Sequence, residues 1–405
     1  MPWPRRGTNH PTERDGLCRL LGHAWRNRTV RIARRILAGA LVLVLAWCSW
    51  SIGGALTAPG TDPTAARLAE WGRHHYLGWA VTDLERVVYA IHKPRVGGTV
   101  PGGVPTVAGI GPSSPGHSPK DHHSGDPTGP RTARPPAPID PLVTNPLPHE
   151  GQWQDLLNVN QATAARVAYL RPDASHTSYL ADVIWMDPHL VKFTLFPGIR
   201  YPGQPLTGPS HLTGSARSQV LATFNSGFQL KDSNGGFWQR GKTVQHLVTG
   251  AASMIFTTDG RMRIEPWPGG TPGPHIAAVR QNLTMMIRNG HQSPLVAHPQ
   301  HNTWGATLGN SAYVWRSGIG IRPDGTVVFV LGPALNIQTL ANLLHRAGAV
   351  NAMELDINPA WTDYFTYTHP SAGIATPHRI DSDTQPNLYR YLKPCSRDFV
   401  GVFPR

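Results

Sequence analysis

The sequence predicts an α+β protein: a mostly antiparallel, β-rich globular domain with few helices, preceded by a single transmembrane helix and a disordered Pro/Gly linker. Three observations predict it. Ile36 to Leu56 is a run of 21 residues without a charge. The stretch 94–149 holds 23 Gly or Pro in 56 positions. Beyond it, short apolar runs rich in β-branched residues recur between turn signals. The chain has 405 residues, with Gly 42, Pro 39 and only 15% charged. Its three cysteines, Cys18, Cys48 and Cys395, exclude a disulfide scaffold and any four-cysteine metal site.

Residues 1–35 read as a basic cytoplasmic arm, with nine Arg against Glu13 and Asp15 for a net +7. That is most of the formal net charge of +13. Arg outnumbers Lys 31 to 6, a bias expected of a GC-rich bacterial genome, and no nucleic-acid-binding motif accompanies it, so no nucleic-acid partner is expected. Residues 36–56, at about 1.5 Å per residue, span about 31 Å, the thickness of a bilayer's hydrocarbon core. The arginines before this run place the N-terminus in the cytoplasm and the C-terminal domain outside it. The expected localisation is the cell membrane, single-pass. A cleaved signal with a cut near Gly53-Gly54-Ala55 is the alternative, but the long apolar run and long basic lead favour a retained signal anchor.

Residues 62–93 read as a juxtamembrane amphipathic helical segment, begun by Asp62-Pro63 and stopped by Lys93-Pro94. Its Trp-rich face either lies on the membrane surface or belongs to a short helical hairpin packed on itself or on the globular domain. Residues 94–149 bury too little apolar surface to offset ordering entropy and read as a disordered spacer. Its His117, His122 and His123 read as solvated.

Residues 150–405 form the globular domain. Strands are expected at Arg166–Leu170, Tyr179–Met186, Val191–Phe196, Val220–Phe224, Ala252–Phe256, Met262–Glu265, Leu283–Ile287, Ala312–Ile321 and Thr326–Leu331. Asp259-Gly260 and Asp324-Gly325 mark hairpin turns. Asn336–Ala347 reads as a helix, N-capped by Asn336, striped by Leu340, Leu343 and Leu344, and ended at Gly348. Val350–Asp356 follows as a buried strand.

Three stretches carry chemistry. Asn225-Ser226-Gly227-Phe228 follows an apolar strand, leaving Asn225 at the strand mouth and a flexible glycine beside it. Glu354 and Asp356 lie two apart in a strand and would share a face, as two carboxylates for acid–base work on a glycosidic bond or for a hard cation. Arg316 is the one charge in the strand Tyr313–Ile321, so an inward guanidinium needs an anion, either Asp356 or a substrate phosphate.

The order of these pieces resembles the phosphodiester glycosidase domain family over about residues 150–370. The family's Asn-Gly-Gly-aromatic stretch is similar to Asn225-Ser226-Gly227-Phe228. Its Arg before an Ile-Gly strand falls on Arg316, and its Asn-Leu-Asp on Glu354-Leu355-Asp356. The chain departs where Ile357-Asn358-Pro359 replaces a glycine run. The resemblance implies a membrane-anchored, extracytoplasmic hydrolase acting on a phosphate-linked sugar of the cell envelope. In it, Asp356 would be nucleophile or base, Glu354 its partner, Arg316 the phosphate clamp and Asn225 an orienting group. Gly227, Phe228, Asn358 and Trp361 would contact substrate. The expected partners are a cell-envelope glycan or glycosyl phosphodiester, and the lipid bilayer through residues 36–56. No cofactor is implied, although a divalent cation near Asp356 stays open. The rival reading is a non-catalytic polysaccharide- or protein-binding module, with Trp361, Tyr364, Phe365 and Tyr367 as an aromatic platform. A zinc hydrolase using His211, His246, His298, His301 or His369 lacks a supporting spacing.

Overall fold

The charge-free stretch folds as one helix, α1 (Glu13–Thr57), in a computed structural model that describes residues 13–107, 132–200, 208–299, 303–305, 307, 311–371, 373–380 and 387–405. His117, His122, His123, His301 and residues 1–12 of the basic arm lie outside the described residues. Within α1, Val30–Thr57 is long and apolar enough to cross a membrane. The chain divides into two compact units, Met1–Ala58 and Pro59–Arg405.

The second unit begins with α2 (Thr64–His74) and α3 (Gly78–Ile91), a helical hairpin turned at Tyr76, whose φ is 61°. Polar contacts fasten it to the β-rich part. The Ser396 hydroxyl donates to Asp62, the Gln229 amide donates to Glu70 at 2.6 Å, and the Tyr89 hydroxyl donates to the Tyr313 carbonyl at 3.0 Å. Residues 94–107 and 132–149 contain no helix or strand, as their Pro and Gly content leads one to expect. They are nevertheless held on the domain: Val100, Val104 and Val107 pack against its core, and Ile139 is buried. Extended Pro-rich backbone has little conformational freedom left to lose, so a few apolar contacts suffice to seat it. The hairpin and the β domain belong to one unit.

The strands, in chain order, are β1 (Gln154–Val159), β2 (Ala162–Leu170), β3 (Ala181–Met186), β4 (Val191–Phe196), β5 (Ala222–Asn225) and β6 (Phe237–Gln239). They continue as β7 (Lys242–Gln245), β8 (Ala252–Thr257), β9 (Met262–Pro266), β10 (Ile276–Gln281), β11 (Met285–Arg288) and β12 (His291–Gln292). The last are β13 (Val314–Ile321), β14 (Val327–Leu335), β15 (Asn351–Glu354), β16 (Tyr364–Thr368), β17 (Thr376–Arg379) and β18 (Phe399–Pro404). The later helices are α4 (Gly214–Gln219), α5 (Pro294–Ala297) and α6 (Ile337–Arg346).

Three antiparallel sheets result, ordered β1-β2-β3-β14-β13-β15-β11-β12, β7-β6-β10-β8-β9 and β17-β16-β5-β18-β4. The main core lies among them, with Phe224, Phe329 and Tyr364 in mutual ring contact. A second core packs α6 on the largest sheet through Leu340, Leu343 and Leu344. A Cβ on Gly320 would stand 2.6 Å from Ala349, so close packing behind β13 requires glycine there. α6 has a full capping box: Asn336 accepts from the Thr339 amide at 2.7 Å, and Thr339 accepts from the Asn336 amide at 2.8 Å. Gly348 closes it at φ 91°.

Candidate functional site

Two sheets lay their strand ends together. β5 of the third sheet ends at Asn225, and β15 of the first ends at Glu354, just short of Asp356. A small cavity opens beside them, lined by Asn225, Ser226, Gly227 and Asp356, and by Trp361, Arg390, Tyr391, Arg397 and Asp398. Its volume is about 10 Å³, room for about one water.

Asp356 forms one wall. Its carboxylate accepts from Arg397 at 3.1 Å and from the Ile357 amide at 2.8 Å. Burial pushes its carboxyl up to about 6, against the pull of Arg397 and of the Ile357 amide. Arg397 also lies 4.0 Å over the Trp361 ring and reaches Glu70 of α2 at 3.4 Å. Beside it, Arg390 pairs with Asp363 at 2.8 Å, and the Tyr391 hydroxyl donates to the same carboxylate at 2.8 Å. Burial raises Asp363 to about 6, with Arg390 opposing. Two guanidiniums thus flank one acid that lines the cavity.

Asn225 is spent on structure. Its amide donates to the Ser226 carbonyl at 2.8 Å and the Ser317 hydroxyl at 2.9 Å, and its oxygen accepts from the Asp363 amide at 3.1 Å. It therefore ties β5, β13 and the loop before β16 together while presenting one edge to the cavity. Gly227 has a steric reason: a Cβ there would meet the Asn282 side chain at 2.7 Å. Asn282 in turn donates to the carbonyls of Glu354 and Leu355 at 2.9 and 3.0 Å and accepts from the Phe228 amide at 3.0 Å.

Glu354 and Arg316 lie elsewhere. Arg316 meets Glu354 at 2.5 Å and donates to the Leu335 carbonyl at 3.0 Å; both residues are buried, and neither lines the cavity. Gly318 pairs with Glu354 across β13 and β15, so Arg316 is two residues from the register partner of Glu354. Continued past the strand end, that register would set Arg316 opposite Asp356, but the guanidinium reaches diagonally to Glu354 on the same face, and Asp356 pairs with Arg397 instead. Burial drives the Glu354 carboxyl up to about 7, opposed by Arg316 and assisted by the nearby Asp356 charge. Phe228 is also core: it is buried, and its ring crowds Gly305. Asn358 organises a turn, accepting the amides of Ala360, Trp361 and Thr362 at 2.8, 2.8 and 2.9 Å. Trp361 reaches the cavity wall, but Tyr364, Phe365 and Tyr367 are buried in β16, so the expected aromatic platform reduces to one ring.

Sequence reasoning missed Arg390, Tyr391, Arg397, Asp398, Asp363 and Glu70. A signal existed: Arg397-Asp398 stands directly before the apolar run Phe399–Phe403, the same pattern that singled out Arg316. Arg397 pairs with the cavity acid, whereas Asp398 pairs with buried Arg280 at 2.8 Å and braces the floor. Among the described residues no three His, Cys, Asp or Glu side chains gather as a metal site. His211 sits apart, its pKa lowered first by burial and then by Arg217.

Residues 217–356 match the phosphodiester glycosidase family, and the match ends on Asp356 itself. The resemblance to that family is thereby established. No curated protein sequence matches the chain. Among solved structures, the catalytic domain of zebrafish N-acetylglucosamine-1-phosphodiester alpha-N-acetylglucosaminidase, auto-inhibited by its pro-peptide, is 14% identical. The TM-score is 0.41, covering 63% of this chain and 88% of that one. A hypothetical protein from Synechocystis is 13% identical, with a TM-score of 0.33 over 61% and 63% of the two chains. A putative exported protein from Burkholderia pseudomallei is 14% identical, with a TM-score of 0.26 over 56% and 74%.

Proposed function

We propose that this protein is a membrane-anchored, extracytoplasmic hydrolase that cleaves the bond between a sugar and a phosphodiester in the cell envelope. The observation that carries the reading is Asp356 on the wall of a cavity that also holds Arg397, at the end of the family-matched segment. A phosphate leaving group brings its own negative charge, so the reaction needs cations for that charge more than it needs a strong general acid. Arg397, with Arg390 behind it, replaces Arg316 in that role. Asp356, with a pKa of about 6, is ionised at neutral pH and serves as nucleophile or base. Glu354 and Asn225 act through position: one holds Arg316 under the strand end, the other holds the loops that shape the cavity.

The cavity of about 10 Å³ admits no sugar, so the described conformation is closed. Glu70 sits on Arg397 where a substrate phosphate would sit, and α2 has to yield for substrate to enter. One observation favours the non-catalytic alternative: the turn that replaces the family's glycine run spends three amides on Asn358, leaving them unable to receive a phosphate oxygen. Turnover decides. The full-length chain in detergent or nanodiscs is assayed on glycosyl phosphodiesters of different sugars. Release of free sugar, reduced roughly 10³-fold by Asp356→Asn, supports hydrolysis. Full turnover in that variant, or tight binding without product, overturns it.

A further inference from the structure

α3 carries an apolar face that the domain does not use. Ala80, Leu84, Val87, Val88 and Ile91 recur at three- and four-residue spacing and so form one stripe. Leu84 is 65% exposed, Val87 56% and Ile91 72%. The opposite side of the helix is the anchored one: Glu85 pairs with Arg73 of α2 at 2.6 Å, and Tyr89 reaches Tyr313. A row of branched aliphatic side chains this exposed is costly in water and marks a docking surface.

The chain itself indicates what covers it. α1 ends at Thr57, and the second unit is already tied down at Gly60, whose carbonyl accepts from Arg67 at 2.6 Å. Three residues span at most about 11 Å. If α1 crosses a bilayer, the α2–α3 hairpin begins within that distance of the lipid surface. The exposed basic residues Lys93 and Arg95 follow the end of α3, where cations suit a headgroup layer. Asp83 on the flank is offset by Arg86 at 2.7 Å.

We propose that the Leu84–Val88–Ile91 face of α3 lies in the lipid headgroup layer of the membrane that α1 crosses, as a second, in-plane contact. This rests on the reading of α1 as a membrane span. α2 packs on α3 and carries Glu70 to Arg397 at the cavity, so docking of α3 ties the element over the cavity to the lipid surface. Sugar phosphodiesters attached to lipid, or lying against the membrane, are then the substrates within reach.

Spin labelling of the full-length chain in nanodiscs of phosphatidylcholine and phosphatidylglycerol tests this. In a Cys18→Ser/Cys48→Ser background that keeps buried Cys395, nitroxides are placed singly at Leu43→Cys, Leu84→Cys, Val88→Cys and the exposed Ser215→Cys. Accessibility to dissolved oxygen is compared with accessibility to a water-soluble nickel chelate. The expected result is oxygen preference at 43, weaker oxygen preference at 84 and 88, and nickel preference at 215. Nickel preference at 84 and 88 with 43 still in lipid overturns the docking and leaves the anchor standing. Nickel preference at 43 overturns the anchor and the docking with it. Labels at 84 and 88 shielded from both reagents show a protein partner on this face and overturn the proposal.

Discussion

Glu354 and Asp356 stand two residues apart at the end of one strand, yet they live in different surroundings. Glu354 is still inside the sheet, where its neighbours are set by pairing with β13, and it finds Arg316 there. Asp356 has left the strand and meets loops from the far end of the sequence, with Arg397 at 3.1 Å and a cavity beside it. Both carboxyls are raised by burial, to about 7 and about 6. The inner acid has its cation locked by the backbone of a neighbouring strand, while the outer acid has a cation that also touches Trp361 and Glu70. Two steps along a chain thus separate a pair enclosed by the sheet from a pair that borders the cavity.

The strongest way to break this contrast is at the inner pair. Arg316→Met leaves Glu354 buried without its partner and is expected to lower unfolding stability by about 3–5 kcal/mol, read by denaturant titration, with Arg316→Met/Glu354→Leu recovering most of it. Full activity per folded molecule in the double variant places the pair in the frame; its loss would move the pair into the chemistry. Next, Arg397→Lys keeps the charge but loses the planar fork, and is expected to reduce kcat/KM roughly ten- to a hundredfold with little change in the unfolding midpoint. Glu70→Gln weakens the hold of α2 on Arg397, and activity is expected to rise roughly tenfold, with no gain if α2 does not cover the site.

The smallest effect is in pH. Glu354, Asp356 and Asp363 bind their protons more tightly folded than unfolded, with values of about 7, 6 and 6 against 4.5, 3.8 and 3.8. Between about pH 4 and 7 the folded state therefore holds more protons, and these groups' contribution to stability falls as pH rises through that window. The melting temperature is expected to be higher at pH 5 than at pH 7.5, and Glu354→Gln to flatten the decline between pH 6 and 7.5.

Much of the fold was legible because it is local. Val191–Phe196 is a strand at its predicted bounds, Asn336 caps α6, and Gly348 ends it in the left-handed conformation. Asn225, Gly227, Asp356 and Trp361 were also readable, as a strand mouth, a strand end and an exposed-looking aromatic, and they do converge. What stayed hidden depends on register and on distant loops. Arg316 meets Glu354 by a diagonal reach across β13 and β15, although the register continues to Asp356 opposite it, and composition does not encode that choice of side-chain direction. Arg390 and Arg397 come from irregular chain beyond the last recognisable motif, and Glu70 from a helix separated from its partner Gln229 by 159 positions. Tyr364, Phe365 and Tyr367 leave two readings open in the sequence, a sugar platform or core packing, and the structure buries all three in β16.

β18 sits between β4 and β5, pairing with both, although about 200 residues separate it from β4 along the chain. Joining partners so remote is slow, since a long loop has to close before any contact repays it. Arg397 lies two residues before the first residue of that strand, so the cation of the cavity is positioned by this long-range pairing. The cation and the acid of the cavity are therefore brought together by strand pairing across the whole length of the β domain, so the cavity depends on the most distant partners in this sheet.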